Sequence, residues 1–197
     1  MDDFRVRRIA RGFSMIEVLV TLVIIMLGLL GLLGMQVRSH QAEFESYQRS
    51  QALILMSDFV QRINTNRKAA RCYAITDPSG GAPYLGYASS ASPSCTAWGT
   101  VELQARAVAD LAAWDGLLKG AAETIDGASV GAMVGARGCV SYDPALDAYR
   151  ISIAWQGLIS TVDPLSVDAG LTCGRDLYGD ESRRRIVSTT LRIADLK

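Results

Sequence analysis

From Phe13 to Met35 the chain is almost wholly apolar, and Glu17 is the one charged residue in the run. A bilayer-spanning helix needs about 20 such residues, so the run predicts a membrane helix. A carboxylate inside it costs roughly 2.5–3.5 kcal/mol at mid-membrane, and Glu17 therefore needs a reason to be there. Gly28, Gly31 and Gly34 recur three apart. Small residues at such spacing favour close helix packing in membranes. Each also costs about 1 kcal/mol of helix propensity relative to Ala, which predicts a soft segment.

From Gln36 to about Ala70 the pattern turns amphipathic. Phe44, Tyr47, Ala52, Leu55, Met56, Phe59, Val60 and Ile63 recur at spacings of three and four, with Gln41, Glu45, Gln48, Arg49 and Asp58 on the other faces. Neither Gly nor Pro interrupts the chain between Met35 and Arg71. The spacing predicts one helix from Phe13 to Ala70, roughly 58 residues and about 85 Å long.

Asp77 to Ser94 is rich in Pro, Gly and Ser and reads as a long loop bracketed by Cys72 and Cys95. It is either a pinned surface loop or a partner-facing one. Val101 to Lys119 carries Leu103, Ala107, Leu111, Trp114 and Leu118 at helical spacing, with Asp110 and Asp115 off that face. Ala121 to Gly138 yields no assignment. The period then changes to two. Cys139–Asp143 and Tyr149–Gln156 read as a hairpin around Pro144–Asp147, and Ile186–Ile193 as a last strand. Three strands at such spacing predict an α+β head with an antiparallel sheet and helices to one side. Arg183–Arg185, beside Asp180 and Glu181, reads as a solvated turn. No basic face with interleaved aromatics is visible, and no nucleic-acid partner is expected.

Composition narrows the function. The chain has 197 residues, 20 basic and 20 acidic, so no overall field points to a polyanionic partner. Arg5, Arg7, Arg8 and Arg11 are concentrated before the apolar run, a positive flank that keeps the N-terminus in the cytoplasm. An ordinary secretory signal is disfavoured: the apolar run exceeds the usual 7–15 residues and no A-x-A-like site follows it. Plain anchoring of a periplasmic binding module stays open, and predicts that residues 1–12 are retained.

The four cysteines, Cys72, Cys95, Cys139 and Cys173, all follow the apolar run. None forms a CxxC pair and the one histidine, His40, is distant in sequence, so neither a metal nor any other cofactor is expected. An even count in an exported domain predicts disulfides. Three pairings are open; spacing favours Cys72–Cys95 and Cys139–Cys173. No phosphate-cradling loop, GxSxG or HExxH occurs, and an enzyme is not expected.

Gly12-Phe13-Ser14-Met15-Ile16-Glu17, after a basic leader and before an apolar helix, resembles the processing site of type IV pilins and type II secretion pseudopilins. The resemblance implies a cut between Gly12 and Phe13 by the prepilin peptidase, N-methylation of Phe13, and Glu17 as fifth residue of the mature chain. It implies the type IV pilin fold, a long helix lying against an antiparallel sheet. The expected organisation is a leader over 1–12, a membrane and filament-core helix over 13–35, an amphipathic stalk half over 36–70 and a periplasmic head over 71–197. Glu17 is implied to pair with the methylated amine of a neighbouring subunit.

The stretch Phe13–Gln36 also resembles PilV-like minor pilins of type IV pili. So do Gly138-Cys139-Val140-Ser141-Tyr142, Tyr149-Arg150-Ile151, Ala154-Trp155-Gln156-Gly157, Cys173-Gly174 and Arg184-Arg185-Ile186-Val187. About Asp77 to Arg137 has no such likeness. This second resemblance implies assembly with other minor and major pilins, a priming complex at the pilus tip with a large adhesin, and residence in the inner membrane before the pilus. A minor pseudopilin of type II secretion is the alternative.

Overall fold

The structure, a computed structural model, describes residues 12–122, 124–129 and 133–193. Most of the expected leader, residues 1–11, lies outside the described residues. The chain divides into two compact units, residues 1–43 and 44–197. Helix α1, Met15–Thr65, supplies the described helix of the first unit and opens the second.

In the second unit α1 buries Gln48, Ala52, Phe59 and Ile63. It stops at Thr65, five residues before the expected end at Ala70. Asn66 leaves helical geometry (φ −123°), and its side chain is recruited elsewhere: Nδ2 donates to Tyr73 Oη at 3.1 Å and to the Leu103 carbonyl at 2.8 Å. A 3₁₀ turn, Arg67–Tyr73, carries the chain on. Helix α2, Val101–Leu118, begins on a Thr100 cap and buries Ala107, Leu111, Trp114 and Leu118, the expected stripe less Leu103, which is only partly buried.

The head sheet has four antiparallel strands: β1 (Leu85–Gly86), β4 (Arg137–Asp143), β5 (Ala148–Gln156) and β6 (Arg184–Leu191), in that order. A separate hairpin, β2 (Thr124–Ile125) with β3 (Ala128–Ser129), turns at Asp126-Gly127, both with positive φ. That dipeptide is a strong hairpin signal, and it lies in the stretch left unassigned from sequence. The β4–β5 register is fixed by an Asx turn in which Asp143 Oδ1 accepts from the Ala145 and Leu146 amides at 2.8 and 3.3 Å.

β5 is buried on both faces. Tyr149, Ile151, Ile153 and Trp155 join the main core with Phe59, Ile63 and the α2 stripe. Ala154 packs instead with Cys139, Cys173 and Tyr178 in a smaller cluster. The sheet thus has helices on one face and an irregular segment on the other, held by Cys139–Cys173. Gly138 is obligatory for the helix-facing side, because a Cβ there would come within 2.6 Å of the Trp114 ring and Leu118 Cδ1.

Trp114 is the centre of this core. Its ring stacks on Phe59 (centroids 4.0 Å apart, 17° between planes), Tyr73 meets Phe59 edge-on at 5.7 Å, and the indole Nε1 donates to the Leu55 carbonyl at 3.2 Å. Trp114→Ala is expected to cost about 3–5 kcal/mol, a large part of the 5–15 kcal/mol that holds a typical domain together. Thermal melting of the detergent-solubilised full chain checks it, with Trp98→Ala as control. Trp98 is 47% exposed and its loss is expected to cost under about 1 kcal/mol.

Several polar residues depart from expectation. Asp110 is not on a free face: its carboxylate accepts from Tyr73 Oη at 2.6 Å and from Arg62 Nη1 at 3.2 Å. Asp115 Oδ1 accepts from the Gly86 amide at 2.7 Å and so holds β1 to α2. The Arg183–Arg185 run is not a solvated turn. Arg184 is fully buried, with Nε on Glu181 at 2.6 Å and Nη1 on the carbonyls of Leu171 and Cys173 at 2.7 and 3.0 Å. Gln48, expected on an outer face, is buried, whereas Phe44 and Tyr47, expected inside, are 41% and 49% exposed.

Candidate processing and assembly site

Gly12, Phe13 and Ser14 precede the helix in an exposed, non-helical segment. Helix α1 starts immediately after, with the Glu17 and Val18 amides donating to the Ser14 carbonyl at 3.0 and 3.3 Å. Gly12–Phe13 is thus an exposed, non-helical bond two residues before the helix, a geometry a protease can reach. Phe13 is 85% exposed. Glu17 sits in the first turn of α1, where a negative charge is favoured by the helix dipole by about 0.3–1 kcal/mol. Its carboxylate has no hydrogen bond or ion pair among the described residues.

The helix that follows is apolar on every side. Ile16, Leu19, Leu22, Val23, Met26, Leu30 and Leu33 are all exposed, and no residue between Gly12 and Glu43 is buried. A helix hydrophobic all round belongs inside something, so this one is complete only in lipid or among other helices. It is long and apolar enough to cross a membrane. A Cβ at Gly28, Gly31 or Gly34 would meet nothing within 4 Å, and α1 continues through all three without a break. The expected softness has no counterpart in the helix geometry.

The head cysteines are joined as Cys72–Cys95 and Cys139–Cys173, with Cα atoms 5.4 and 5.8 Å apart. The first ties the Ala82–Trp98 segment to the 3₁₀ turn after α1; the second ties the irregular segment to β4. Among the described residues no cluster of His, Cys, Asp and Glu could hold a metal ion.

Two arrangements in the head have no linear signal. Glu45 Oε1 accepts from the Leu158 and Ile159 amides at 3.0 and 3.2 Å, and Arg185 Nη2 donates to both Glu45 oxygens at 3.2 and 3.3 Å. One carboxylate thereby holds the loop after β5 against α1, across more than a hundred residues of sequence. At the other end of the head half of α1, the Arg71 guanidinium carbon lies 3.5 Å from the Tyr142 ring centroid and 5.4 Å from that of Trp98. Tyr142 Oη donates to Asp147 Oδ1 at 2.6 Å, which holds the Tyr142 hydroxyl above its ordinary pKa. Burial pushes Tyr149 beside it up to about 12. From the central strand β5, the hydrogen bond from Arg150 Nη1 at 2.7 Å lowers the Asp168 carboxyl.

A family model described as type IV pilin Tt1218 matches residues 34–115, and a model of the prokaryotic N-terminal methylation motif matches residues 7–33. No curated protein and no solved structure matches the chain. The first match runs from Gly34 through α1, the Cys72–Cys95 loop and most of α2, so pilin likeness reaches to Asp115 in the middle stretch that resembled nothing in sequence. The second covers Gly12, Phe13 and Glu17. The α+β architecture, a long apolar N-terminal helix with a small antiparallel sheet, is that of the type IV pilin fold. The two matches together support a type IV pilin with an N-terminal methylation motif.

Proposed function

We propose that this chain is a minor pilin of the PilV-like kind, made in the inner membrane with its head in the periplasm and then built into the tip of a type IV pilus. The observation that carries it is the register of Gly12, Phe13 and Glu17 at the head of a helix whose apolar side chains stay exposed among the described residues. Lipid satisfies such a helix while the subunit waits, and the helices of other pilins satisfy it in a filament. The prepilin peptidase cuts between Gly12 and Phe13 and the new amine of Phe13 is methylated. Glu17 then faces the amine of a neighbouring subunit. An unpaired charge in low dielectric is costly, so the pair selects neighbour and axial register more than it adds net stability. The chain is a substrate and a structural part, with no catalytic role of its own.

The minor and PilV-like assignment rests on Gly138–Tyr142, Tyr149–Ile151, Ala154–Gly157, Cys173-Gly174 and Arg184–Val187. These residues form β4, β5, the start of β6 and the Cys139–Cys173 bridge, the parts of the head most tightly set by packing. Partners are major and other minor pilins and a large tip adhesin. Deleting the coding sequence separates this from a role in type II secretion. A priming pilin is expected to leave cells with few or no surface pili and normal protein secretion. Lost secretion with intact pili would place the chain in the secretion pseudopilus.

A further inference from the structure

We propose that the cavity beside Arg71 and Trp98 is a binding site for an acidic sugar residue of an anionic polysaccharide. The cavity has a volume of about 450 Å³ and opens between the 3₁₀ turn and the β4–β5 turn. One wall is cationic: Arg67, Lys68 and Arg71 lie within a single short turn and line the same space. None of the three makes an ion pair among the described residues. The other wall is aromatic: Trp98, Tyr142 and Tyr149 line it, and Trp98 stays nearly half exposed although it is the largest kind of side chain in the protein. The half-exposed Trp98 ring beside these cations suits a ligand with a flat apolar face and a carboxylate.

Arg71 is held in place for this. Its guanidinium lies against Tyr142 at 3.5 Å and beside Trp98 at 5.4 Å, a cation–π arrangement that orients it without neutralising it. The Cys72–Cys95 bridge fixes the Trp98 segment next to the turn that carries Arg71. The site is therefore pre-formed, which lowers the ordering cost of binding.

Asp147 decides which anion fits. It lines the same cavity and accepts from Tyr142 Oη through Oδ1, leaving Oδ2 as an acceptor at the rim. A carboxylate there accepts from sugar hydroxyls, a donor that a chain of phosphates does not offer. The cations also form one cluster at one wall, where a nucleic-acid strand requires a track of charge following its backbone. An isolated carboxylate on a polyhydroxylated ring meets both features. The site does not depend on the pilus role, and the test reads ligand binding alone.

The experiment is calorimetric titration of the detergent-solubilised full chain with trigalacturonate, with maltotriose and an oligodeoxythymidine as comparators. Saturable trigalacturonate binding that weakens with salt is expected, with no measurable binding of maltotriose. Trp98→Ala and, separately, the double variant Arg67→Gln/Lys68→Gln are each expected to weaken it by about tenfold, the loss of one good charged or stacking contact. Both variants change exposed side chains, and an unchanged melting temperature shows that the fold persists. Opening the Cys72–Cys95 bridge with Cys72→Ser/Cys95→Ser is expected to weaken binding also. Absent trigalacturonate binding, equal affinity in both surface variants, or tighter binding of oligodeoxythymidine would each overturn the site.

Discussion

A Gly12→Val chain is expected to keep its leader, with the cleaved form falling to less than about a tenth of the wild-type fraction. Gly12 lies in an exposed non-helical segment and a Cβ there would meet no atom within 4 Å. Valine therefore meets no obstacle among the described residues, and its effect falls on the peptidase, which has to close around the bond between residues 12 and 13. A branched side chain at that bond needs to raise the barrier by only about 1.4 kcal/mol for a tenfold loss. Immunoblots of membranes, with mass spectrometry of the N-terminal peptide, report the outcome. A chain that still begins at methylated Phe13 in normal yield would show that glycine is not the recognised residue. Because an uncleaved leader keeps four arginines next to the apolar helix, the same variant is expected to be missing from sheared pili.

Glu17→Ala is expected to separate processing from assembly. Alanine is a better helix former than glutamate, and the Glu17 carboxylate makes no contact within the described chain. The start of α1, set by the Ser14 carbonyl and the Glu17 and Val18 amides, should survive. The loss within the chain is the dipole interaction, about 0.3–1 kcal/mol. Cleavage and membrane level are therefore expected to stay near wild type. Recovery in sheared pili is expected to drop by about tenfold or more, because removing one partner of a desolvated charge pair costs several kcal/mol. Wild-type recovery would mean that Glu17 does not set the neighbour.

The elements legible in the sequence were those with a strong pattern. The Phe13–Met35 run is almost wholly apolar, the α2 stripe and the alternation of β4, β5 and β6 repeat a spacing over many residues, and each has its element. Boundaries moved where one side chain outranked the period: Asn66 ends α1 early because Tyr73 and the Leu103 carbonyl take its amide. The Asp126-Gly127 hairpin was readable in principle, but its strands are two residues each and leave no alternation to see. Arg184 departs from the solvated turn that three arginines beside two acids predict in one dimension. Burial follows from the Leu171 and Cys173 carbonyls that the Cys139–Cys173 bridge brings to it.

The candidate processing site is a local pattern. Gly12, Phe13 and Glu17 lie within six residues, so sequence order is already spatial order. The groups around Arg71 come from four separated segments, and only folding puts Trp98, Tyr142 and Tyr149 against the 3₁₀ turn. The Glu45 latch is hidden in the same way, since its partners lie at residues 158, 159 and 185. Phe44 and Tyr47 show a further limit: helical spacing marks a face as apolar without saying whether its own head or another subunit covers it.

The most direct measurement is the intact mass of the wild-type protein extracted from membranes without reduction. The expected mass is that of residues 13–197 plus one methyl group, less the hydrogens lost in the Cys72–Cys95 and Cys139–Cys173 bridges. A chain that retains residues 1–12, or begins at an unmethylated residue other than Phe13, would contradict a processed pilin subunit.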